Sequence, residues 1–205
     1  KIINSCDLVI HLAAKGNVVE SVQEPIENFN QNVLTTLQLL EILKDSEKCK
    51  KIIFSSTGGA LMGDTSPPVN EQSCPNPISP YGASKLACEG YINAYSKCYG
   101  FSAIVFRFGN VYGPNGSHKK GVVNKYIRNS INDIEHIIYG SPNSSRDYIH
   151  VYDICEAIML GIEYFPKMKN NYELFHLANF EEVTLSKLIE CIDKISKKKN
   201  SYKLL

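Results

Sequence analysis

Tyr81 and Lys85, two side chains that can handle a proton, lie four residues apart in the segment SPYGASK, residues 79–85. Residues at this spacing share one face of a helix. A free phenol has a pKa of about 10, and a nearby fixed cation favours its phenolate. The pair is therefore a candidate general base near neutral pH. The alternative is a surface tyrosine packed on a lysine stem, which is the commoner meaning of a bare Y-x-x-x-K pattern.

A third proton-handling group is the hydroxyl of Thr57, which directly follows the apolar run KKIIFSS, residues 50–56. The surrounding stretch, FSSTGGALMGD at residues 54–64, contains three glycines and could instead be a phosphate-binding turn. Such a turn must open a helix, whereas four prolines and no helical period lie between Gly63 and Ser79. We therefore expect a strand end that presents the Thr57 hydroxyl to a substrate.

The segment that carries Tyr81 and Lys85 has the signals of a helix. Ser79 can cap it, and Pro80 suits its first position. Apolar residues then recur with a helical period and lie on a different face from Tyr81 and Lys85. We expect this apolar stripe to face the core, so that Tyr81 and Lys85 are not needed there. The stripe consists of Ala83, Leu86, Ala87, Tyr91, Ala94, Tyr95 and Cys98.

Three short apolar runs rich in Ile, Val and Phe fit strands buried on both faces of a parallel sheet, at residues 7–14, 50–56 and 102–108. A second helical stripe, from Ile26 to Leu43, lies between the first two runs. This alternation predicts a doubly wound, Rossmann-like α/β sheet. Ligands bind beyond the carboxyl ends of such strands, so the segments of interest are 13–19, 55–63 and 109–116.

The C-terminal part of the chain continues the alternation of helices and strands. Asp153 and Thr184 are candidate N-caps of two further helices, at residues 154–165 and 185–197. Residues 173–179 between them are apolar enough for one more strand.

The composition is that of an ordinary soluble globular protein, with 43% hydrophobic and 21% charged residues in a chain of 205. The formal net charge of +1 gives no argument for a nucleic-acid partner, and no apolar run approaches the ~20 residues of a membrane span. The seven cysteines form no C-x-x-C pair, and reduced thiols are consistent with a cytoplasmic protein. The five histidines are scattered, so we expect no metal site.

Six stretches between about Asp7 and Leu188 follow the order of a known family: DLVIHLAA, NFNQNVLTTLQLLE, FSSTGGALMG, SPYGASKLACEGY, VFRFGNVYGP and RDYIHVYDICEAI. They resemble the extended short-chain dehydrogenase/reductases, in particular the NAD-dependent nucleotide-sugar epimerases and dehydratases. The likeness is strongest to the UDP-glucose 4-epimerase branch, whose members often carry Thr-Gly-Gly where this chain has Thr57. Together the stretches are far more specific than Y-x-x-x-K alone.

The resemblance implies a catalytic role for three residues. Tyr81 would be the base, Lys85 would lower its pKa and hold the nicotinamide ribose, and Thr57 would hydrogen-bond the reacting sugar hydroxyl. The NAD cofactor would contact Tyr81 and Lys85 together with Leu12, Ala13, Ala14, Asn32, Ser55 and Phe108. The substrate, a UDP-hexose, would contact Thr57 together with Asn110, Val122, Ile137, Tyr139 and Arg146.

Two of these implied contacts have open alternatives. For Arg146 the alternative is a surface ion pair with Asp147 or Asp153, because such pairs are common and weak. Lys15 lies near the implied cofactor residues, and the resemblance does not decide whether it touches NAD.

The family's first strand ends in G-x-x-G-x-x-G, which seats the dinucleotide pyrophosphate; the 205 residues contain no such motif. By the resemblance the chain lacks this glycine-motif unit and the tail of a small substrate domain. We therefore expect a fragment truncated at both ends, inactive alone, whose full-length parent is a homodimer. Its predicted parts are a partial NAD-binding domain, residues 1–120, and a partial substrate-binding region, residues 121–205, with some segments returning to the sheet.

The resemblance implies epimerisation at C4 of a sugar of the UDP-glucose/UDP-galactose type through a 4-keto intermediate. Dehydratases of the family carry Asp-Glu after the threonine, and this chain has Gly58 and Gly59, which can serve neither as acid nor as base. Two alternatives stay open: another nucleotide-sugar epimerase or dehydratase of the family, and a non-catalytic protein that binds NAD or a nucleotide sugar on the same fold.

Overall fold

The computed structural model describes residues 2–116, 121–198 and 202–205. The chain divides into two compact units. The first comprises Lys1–Phe108 and Cys155–Leu177, and the second comprises Gly109–Ile154 and Ala178–Leu205. The domain boundary predicted at residue 120 lies outside the described residues.

The elements are numbered in chain order. The strands are β1 (Val9–His11), β2 (Lys51–Thr57), β3 (Ser102–Phe108), β4 (Asn110–Tyr112), β5 (His136–Ile138), β6 (Ser145–His150), β7 (Tyr172–Leu177), β8 (Glu182–Thr184) and β9 (Tyr202–Leu204). The α-helices are α1 (Val18–Gln23), α2 (Pro25–Phe29), α3 (Thr35–Lys44), α4 (Gly59–Met62), α5 (Pro80–Tyr99), α6 (Val122–Ile131), α7 (Val151–Tyr164) and α8 (Leu185–Ser196). A π-helical segment, Asn30–Leu34, joins α2 to α3.

The first unit contains a parallel sheet in the order β1-β2-β3-β7. Its middle strands are buried along almost their whole length, as continuous apolar runs predict. Helices α3 and α5 pack Leu40, Leu43 and Ile92 against Phe54 and Val105 of the sheet. The predicted Rossmann-like α/β class is therefore confirmed. Within the first apolar run only residues 9–11 form strand, and β1 lies at an edge of the sheet that the described residues form.

The predicted orientation of α5 is wrong, because the side that carries Lys85 is buried together with Cys88 and Ile92. Lys85 and Glu89 are each 3% exposed, whereas Ala83 and Tyr91 of the apolar stripe are exposed. The physical reason is that both buried charges have partners inside the unit: Lys85 bonds to a strand carbonyl and Glu89 pairs with Arg107. A hydrophobic-periodicity argument cannot anticipate ions that are paired in the interior.

Two other helix predictions need correction. The stripe from Ile26 to Leu43 is helical throughout, in the consecutive α2, π-helical segment and α3, but its first members, Ile26 and Phe29, are exposed and do not face the core. Asp153 does not cap α7, which begins two residues earlier at Val151 and has Asp153 in its first turn. The other predicted cap is present, since the Thr184 side chain accepts a hydrogen bond from the Lys187 backbone N–H at the start of α8.

The second unit has its own core. Strands β4, β6 and β8 form one sheet and β5 pairs with β9. Tyr126 of α6 packs with Ile138, Ile189 and Ile192, and the fully buried His136 ring lies 4.8 Å from the Tyr126 ring, centroid to centroid. Among the described residues there is no helix long and apolar enough to cross a membrane, and no group of His, Cys, Asp and Glu side chains that could hold a metal ion.

Candidate active site

The carboxyl ends of β2 and β3 lie side by side and bring together three predicted site residues, Ser55, Thr57 and Phe108. Thr57 ends β2 and pairs in register with Phe108, the last residue of β3. The Gly58 backbone N–H donates to the Phe108 carbonyl at 2.8 Å and so ties the two strand ends. Ser55, two residues before Thr57, donates from its hydroxyl to the His11 carbonyl of β1 at 3.2 Å. Thr57 and Phe108 are half-buried, and Ser55 is buried.

Helix α5 carries Tyr81 and Lys85 and brings the lysine to β2. It begins as predicted: the Ser79 hydroxyl accepts from the Gly82 N–H at 3.1 Å, and Pro80 occupies the first turn. The Lys85 ammonium donates to the Ser55 carbonyl at 2.7 Å and lies 4.6 Å from the centroid of the Phe54 ring. Tyr81, one turn earlier, donates its backbone N–H to the Ser21 hydroxyl of α1. The lysine is therefore anchored to β2.

Burial dominates the titration of these groups. It raises the pKa of the Tyr81 phenol, with a smaller contribution from Cys88. It lowers the pKa of the Lys85 ammonium to about 8, against the opposing effects of Cys88 and Glu89. Burial, and then the Lys85 charge, lowers the pKa of His11 to about 4. Burial decides the direction for Tyr81 in this structure, and the lowering of its pKa by Lys85 stays a prediction.

The loop after β1 is held against α5 by Asn32. The Asn32 side chain accepts from the Lys15 N–H at 2.8 Å and donates to the Lys15 carbonyl and to the Ser84 hydroxyl, both at 3.2 Å. Asn32 is itself buried, so it acts here as a clamp on the loop. The clamped loop reaches Tyr81, because a Cβ placed on Gly16 would lie 3.8 Å from the Tyr81 hydroxyl oxygen.

The predicted cofactor residues of this loop, Leu12, Ala13 and Ala14, are exposed just beyond the end of β1. The ammonium of Lys15 is paired with Glu20 and Glu24, each at 3.2 Å.

The glycines after Thr57 serve close packing. Gly63 has φ +57°, and a Cβ there would lie 2.1 Å from the Asn76 carbonyl oxygen. A Cβ on Gly82 of α5 would lie 2.1 Å from the Ala60 carbonyl oxygen. The single turn α4 is thus pressed against the start of α5 at glycine-only contacts. This use of the glycines agrees with a strand end that presents a hydroxyl.

The predicted substrate residues lie in the second unit. Asn110 of β4 donates from its amide to the Asp147 carbonyl at 3.1 Å, and Arg146 is exposed on the neighbouring strand β6. The Arg146 guanidinium bonds to the Ser145 carbonyl at 2.7 Å and, within the described residues, makes no ion pair with Asp147 or Asp153. Val122 begins α6, Ile137 lies in β5, and Tyr139 follows β5 with the Lys125 ammonium 5.2 Å from its ring centroid.

Several residues around the site escape sequence reasoning. Gly16 and Ser21 touch Tyr81 from the loop after β1 and from α1, and no spacing in the sequence signals these long-range contacts. The sequence does contain a signal for the buried ion pair of Glu89 and Arg107. Glu89 follows Lys85 by four residues and therefore shares its face, and Arg107 interrupts the apolar run 102–108.

The residues present fit the nicotinamide end of a bound NAD. Lys85 is a buried ammonium with three N–H donors, and the described residues provide one oxygen acceptor for it, the Ser55 carbonyl. Donors therefore remain for the hydroxyl groups of a ribose. The 205 residues contain no glycine motif to seat the pyrophosphate. Tyr81 and Lys85 would hold the nicotinamide side of the cofactor.

Comparison with known proteins gives a consistent picture. Residues 1–174 match the NAD dependent epimerase/dehydratase family. The dTDP-4-dehydro-6-deoxyglucose reductase from Escherichia coli is 34% identical over 193 residues, which cover 93% of this chain and 60% of that protein.

Two solved structures superpose closely on this chain. The UDP-glucose 4-epimerase of Thermotoga maritima with UDP-glucose has a TM-score of 0.90 at 32% identity, covering 99% of this chain and 68% of its own. The UDP-N-acetylglucosamine 4-epimerase of Methanobrevibacter ruminantium M1, in complex with UDP-N-acetylmuramic acid, has a TM-score of 0.91 at 31% identity, covering 100% and 65%. The chain spans about 60% of the length of the curated relatives it matches.

Proposed function

Because the chain belongs to the NAD dependent epimerase/dehydratase family, we propose that it is part of an NAD-dependent enzyme that epimerises a UDP-hexose at C4 through a 4-keto intermediate. The grouping of a hydroxyl, a phenol and an ammonium carries the proposal. Thr57 ends β2, the Lys85 ammonium bonds to the same strand, and Tyr81 lies one helical turn from Lys85. This is the end of a parallel sheet at which ligands bind.

In the proposed reaction Tyr81 removes the proton from the O4 hydroxyl of the hexose, and Thr57 holds that hydroxyl by a hydrogen bond. NAD, held on its nicotinamide side by Tyr81 and Lys85, would supply the acceptor and donor for the C4 hydride, and Tyr81 would return the proton to O4. Since burial raises the pKa of Tyr81, a base at this position needs a positive charge nearby. Lys85 supplies one, because a pKa of about 8 leaves it mostly protonated at neutral pH.

The alternatives differ from this proposal in specific features. A 4,6-dehydratase needs a further acid and base to eliminate water, and the positions after Thr57 are Gly58 and Gly59, which pack against backbone or lie open. A non-catalytic binding protein would not need Thr57, Tyr81 and Lys85 together. The identity of the sugar is a separate matter, since the similar structures include epimerases for UDP-glucose and for UDP-N-acetylglucosamine.

The proposal is tested by expressing the chain with flanking sequence that supplies the glycine motif, and incubating it separately with UDP-galactose, UDP-N-acetylgalactosamine and UDP-galacturonate. NMR should show conversion of at least one substrate to its 4-epimer, and NAD should copurify. Copurified NAD and bound UDP-sugar without turnover would support the non-catalytic alternative instead.

Arg146 is proposed to bind the UDP pyrophosphate. Its guanidinium is exposed and makes no ion pair within the described part of the chain, and its planar fork suits two parallel bonds to phosphate oxygens. We expect Arg146→Ala to weaken UDP binding by about 2 kcal/mol, roughly 30-fold in Kd, and Arg146→Lys to recover part of the loss. Calorimetry measures both values. Unchanged UDP affinity in Arg146→Ala would remove the residue from the binding site.

We also propose that the full-length protein is a homodimer that packs through α2 and α5. Ala83 and Tyr91 of the apolar stripe of α5 are exposed, as are Ile26 and Phe29 of α2. A groove of about 240 Å³ between these helices is lined by Phe29, Val33, Ala83 and Ala87. Exposed apolar patches mark interaction sites, and an isologous interface with a second copy is the commonest assembly.

A charge placed in this groove should weaken the dimer. We expect Phe29→Glu to shift sedimentation equilibrium toward monomer by at least about tenfold in the dissociation constant, a cost of 1.4 kcal/mol or more. The matched control is Ile195→Glu, an equally radical change at an exposed apolar position of α8. Equal dissociation constants for wild type and Phe29→Glu would place any dimer contact elsewhere.

A further inference from the structure

The buried face of α5 carries a second ion besides Lys85. Glu89, one turn after Lys85, accepts from Arg107 of β3 through three contacts: Nε to Oε1 at 3.0 Å, Nε to Oε2 at 3.3 Å, and Nη2 to Oε2 at 2.7 Å. Glu89 is 3% exposed and Arg107 is 4% exposed. Both ions are therefore removed from water and satisfied mainly by each other.

Stability alone does not explain such a pair. Desolvating two ions costs several kcal/mol each, and apolar residues of similar volume often replace a buried ion pair without loss of stability. The pair does provide directional contacts with a fixed geometry, which apolar side chains cannot. The contribution of the pair therefore lies in where it holds α5.

The ion pair and the Lys85 contact hold α5 at two points. Lys85 bonds to the Ser55 carbonyl on β2, and Glu89 bonds to Arg107 on β3. Arg107 pairs in register with Ser56, the residue after Ser55. Two polar contacts one turn apart, made to adjacent strands at the same level, fix both the rotation of α5 and its position along the sheet.

We propose that Glu89 and Arg107 are positioning residues for the reaction, which act by fixing α5 so that Lys85 and Tyr81 stand correctly at the end of β2. This inference rests on the proposed function, because the position of Lys85 and Tyr81 matters for catalysis only if they take part in that reaction. Replacement of the pair by apolar residues should leave a folded protein whose Lys85 and Tyr81 are misplaced. The effect should fall on kcat more than on KM, because Glu89 and Arg107 touch neither cofactor nor substrate.

The negative charge of Glu89 has a second effect, which is on the pKa of Lys85. Glu89 opposes the lowering of the Lys85 pKa by burial, and so helps to keep the ammonium protonated. On the far side of the pair, His176 Nε2 lies 3.4 Å from Arg107 Nη1, and burial followed by Arg107 lowers the His176 pKa. The titratable and charged groups that face Lys85 and Glu89 are His11, Cys88, Arg107, Tyr172 and His176.

The test compares three variants of the full-length protein: the double variant Glu89→Leu with Arg107→Met, the single variant Glu89→Gln, and the control Asp7→Asn, which alters an exposed ion pair with Lys48 that does not involve α5. We expect the double variant to melt near the wild-type temperature and to lose at least tenfold in kcat with little change in KM. Glu89→Gln, assayed below its own melting temperature, should move the alkaline limb of the kcat profile to lower pH. The control should match wild type.

A readout independent of turnover separates this inference from the proposed function. The titration of Lys85, followed by NMR of ¹³Cε-labelled lysine with Lys85→Met as the assignment control, should move to lower pH in Glu89→Gln. A folded double variant with wild-type kcat would overturn the positioning role, and an unshifted Lys85 titration in Glu89→Gln would overturn the charge effect of Glu89 on Lys85. If wild type itself lacks epimerase activity, the proposed function fails, and the Lys85 titration still decides whether Glu89 acts on Lys85.

Discussion

Replacing Tyr81 with phenylalanine in the full-length protein is expected to lower epimerase turnover by at least about 10²-fold, the scale on which a general base contributes. The substitution removes one oxygen atom and leaves the ring in place. Lys85 keeps its bond to the Ser55 carbonyl, so copurified NAD should be unchanged. Initial rates and the absorbance of released NAD measure both quantities.

Tyr91→Phe is the matched control for this substitution, because Tyr91 lies on the same helix with its side chain on the exposed face. It should have the wild-type rate. Lys85→Met, in contrast, should reduce both turnover and NAD retention. A Tyr81→Phe enzyme with near-normal turnover would show that another group takes the O4 proton, and the assignment of the base would be wrong.

The second large effect concerns NAD retention by the 205 residues themselves. NAD in this fold is held mainly through its pyrophosphate, on a glycine turn at a helix N-terminus. That motif is not in the sequence. We expect the 205-residue polypeptide to purify without NAD and without epimerase activity. Extension by roughly 60 upstream residues, the length of about three strands with their connections, should restore cofactor binding.

The comparison is made by denaturing equal amounts of both purified forms and measuring the released NAD. Lys85→Met in the extended form serves as a control with the glycine motif present and the nicotinamide side weakened. A 205-residue chain that melts cooperatively and carries stoichiometric NAD would show that its own residues suffice for the cofactor.

Much of the architecture could be predicted because it follows from local patterns. The continuous apolar runs gave β2 and β3 almost to the residue, and the capping signals at Ser79 and Thr184 located the starts of α5 and α8. The placement of Tyr81 and Lys85 one turn apart on the same helix followed from their spacing. Each of these features depends on residues that are close together in the chain.

The sequence-based expectations that were wrong share one physical cause. Periodicity assumes that polar residues face water, whereas Lys85 and Glu89 are buried against partners on β2 and β3 that only the folded sheet brings near. The side-chain amide of Asn32 is likewise hydrogen-bonded to Lys15 and Ser84. Spacing can show that two polar residues share a helix face, but it does not name their partners on distant strands, and such contacts are concentrated around the candidate site.

The central claim is that the hexose is oxidised and reduced at C4 with the hydride retained. The most direct measurement uses a UDP-hexose deuterated at C4, incubated with the full-length protein in ordinary water and followed by NMR. The account predicts the 4-epimer with deuterium still on C4 and no loss of label to solvent. Absence of any 4-epimer across the sugars tested, or an epimer whose C4 carries hydrogen from water, would contradict it.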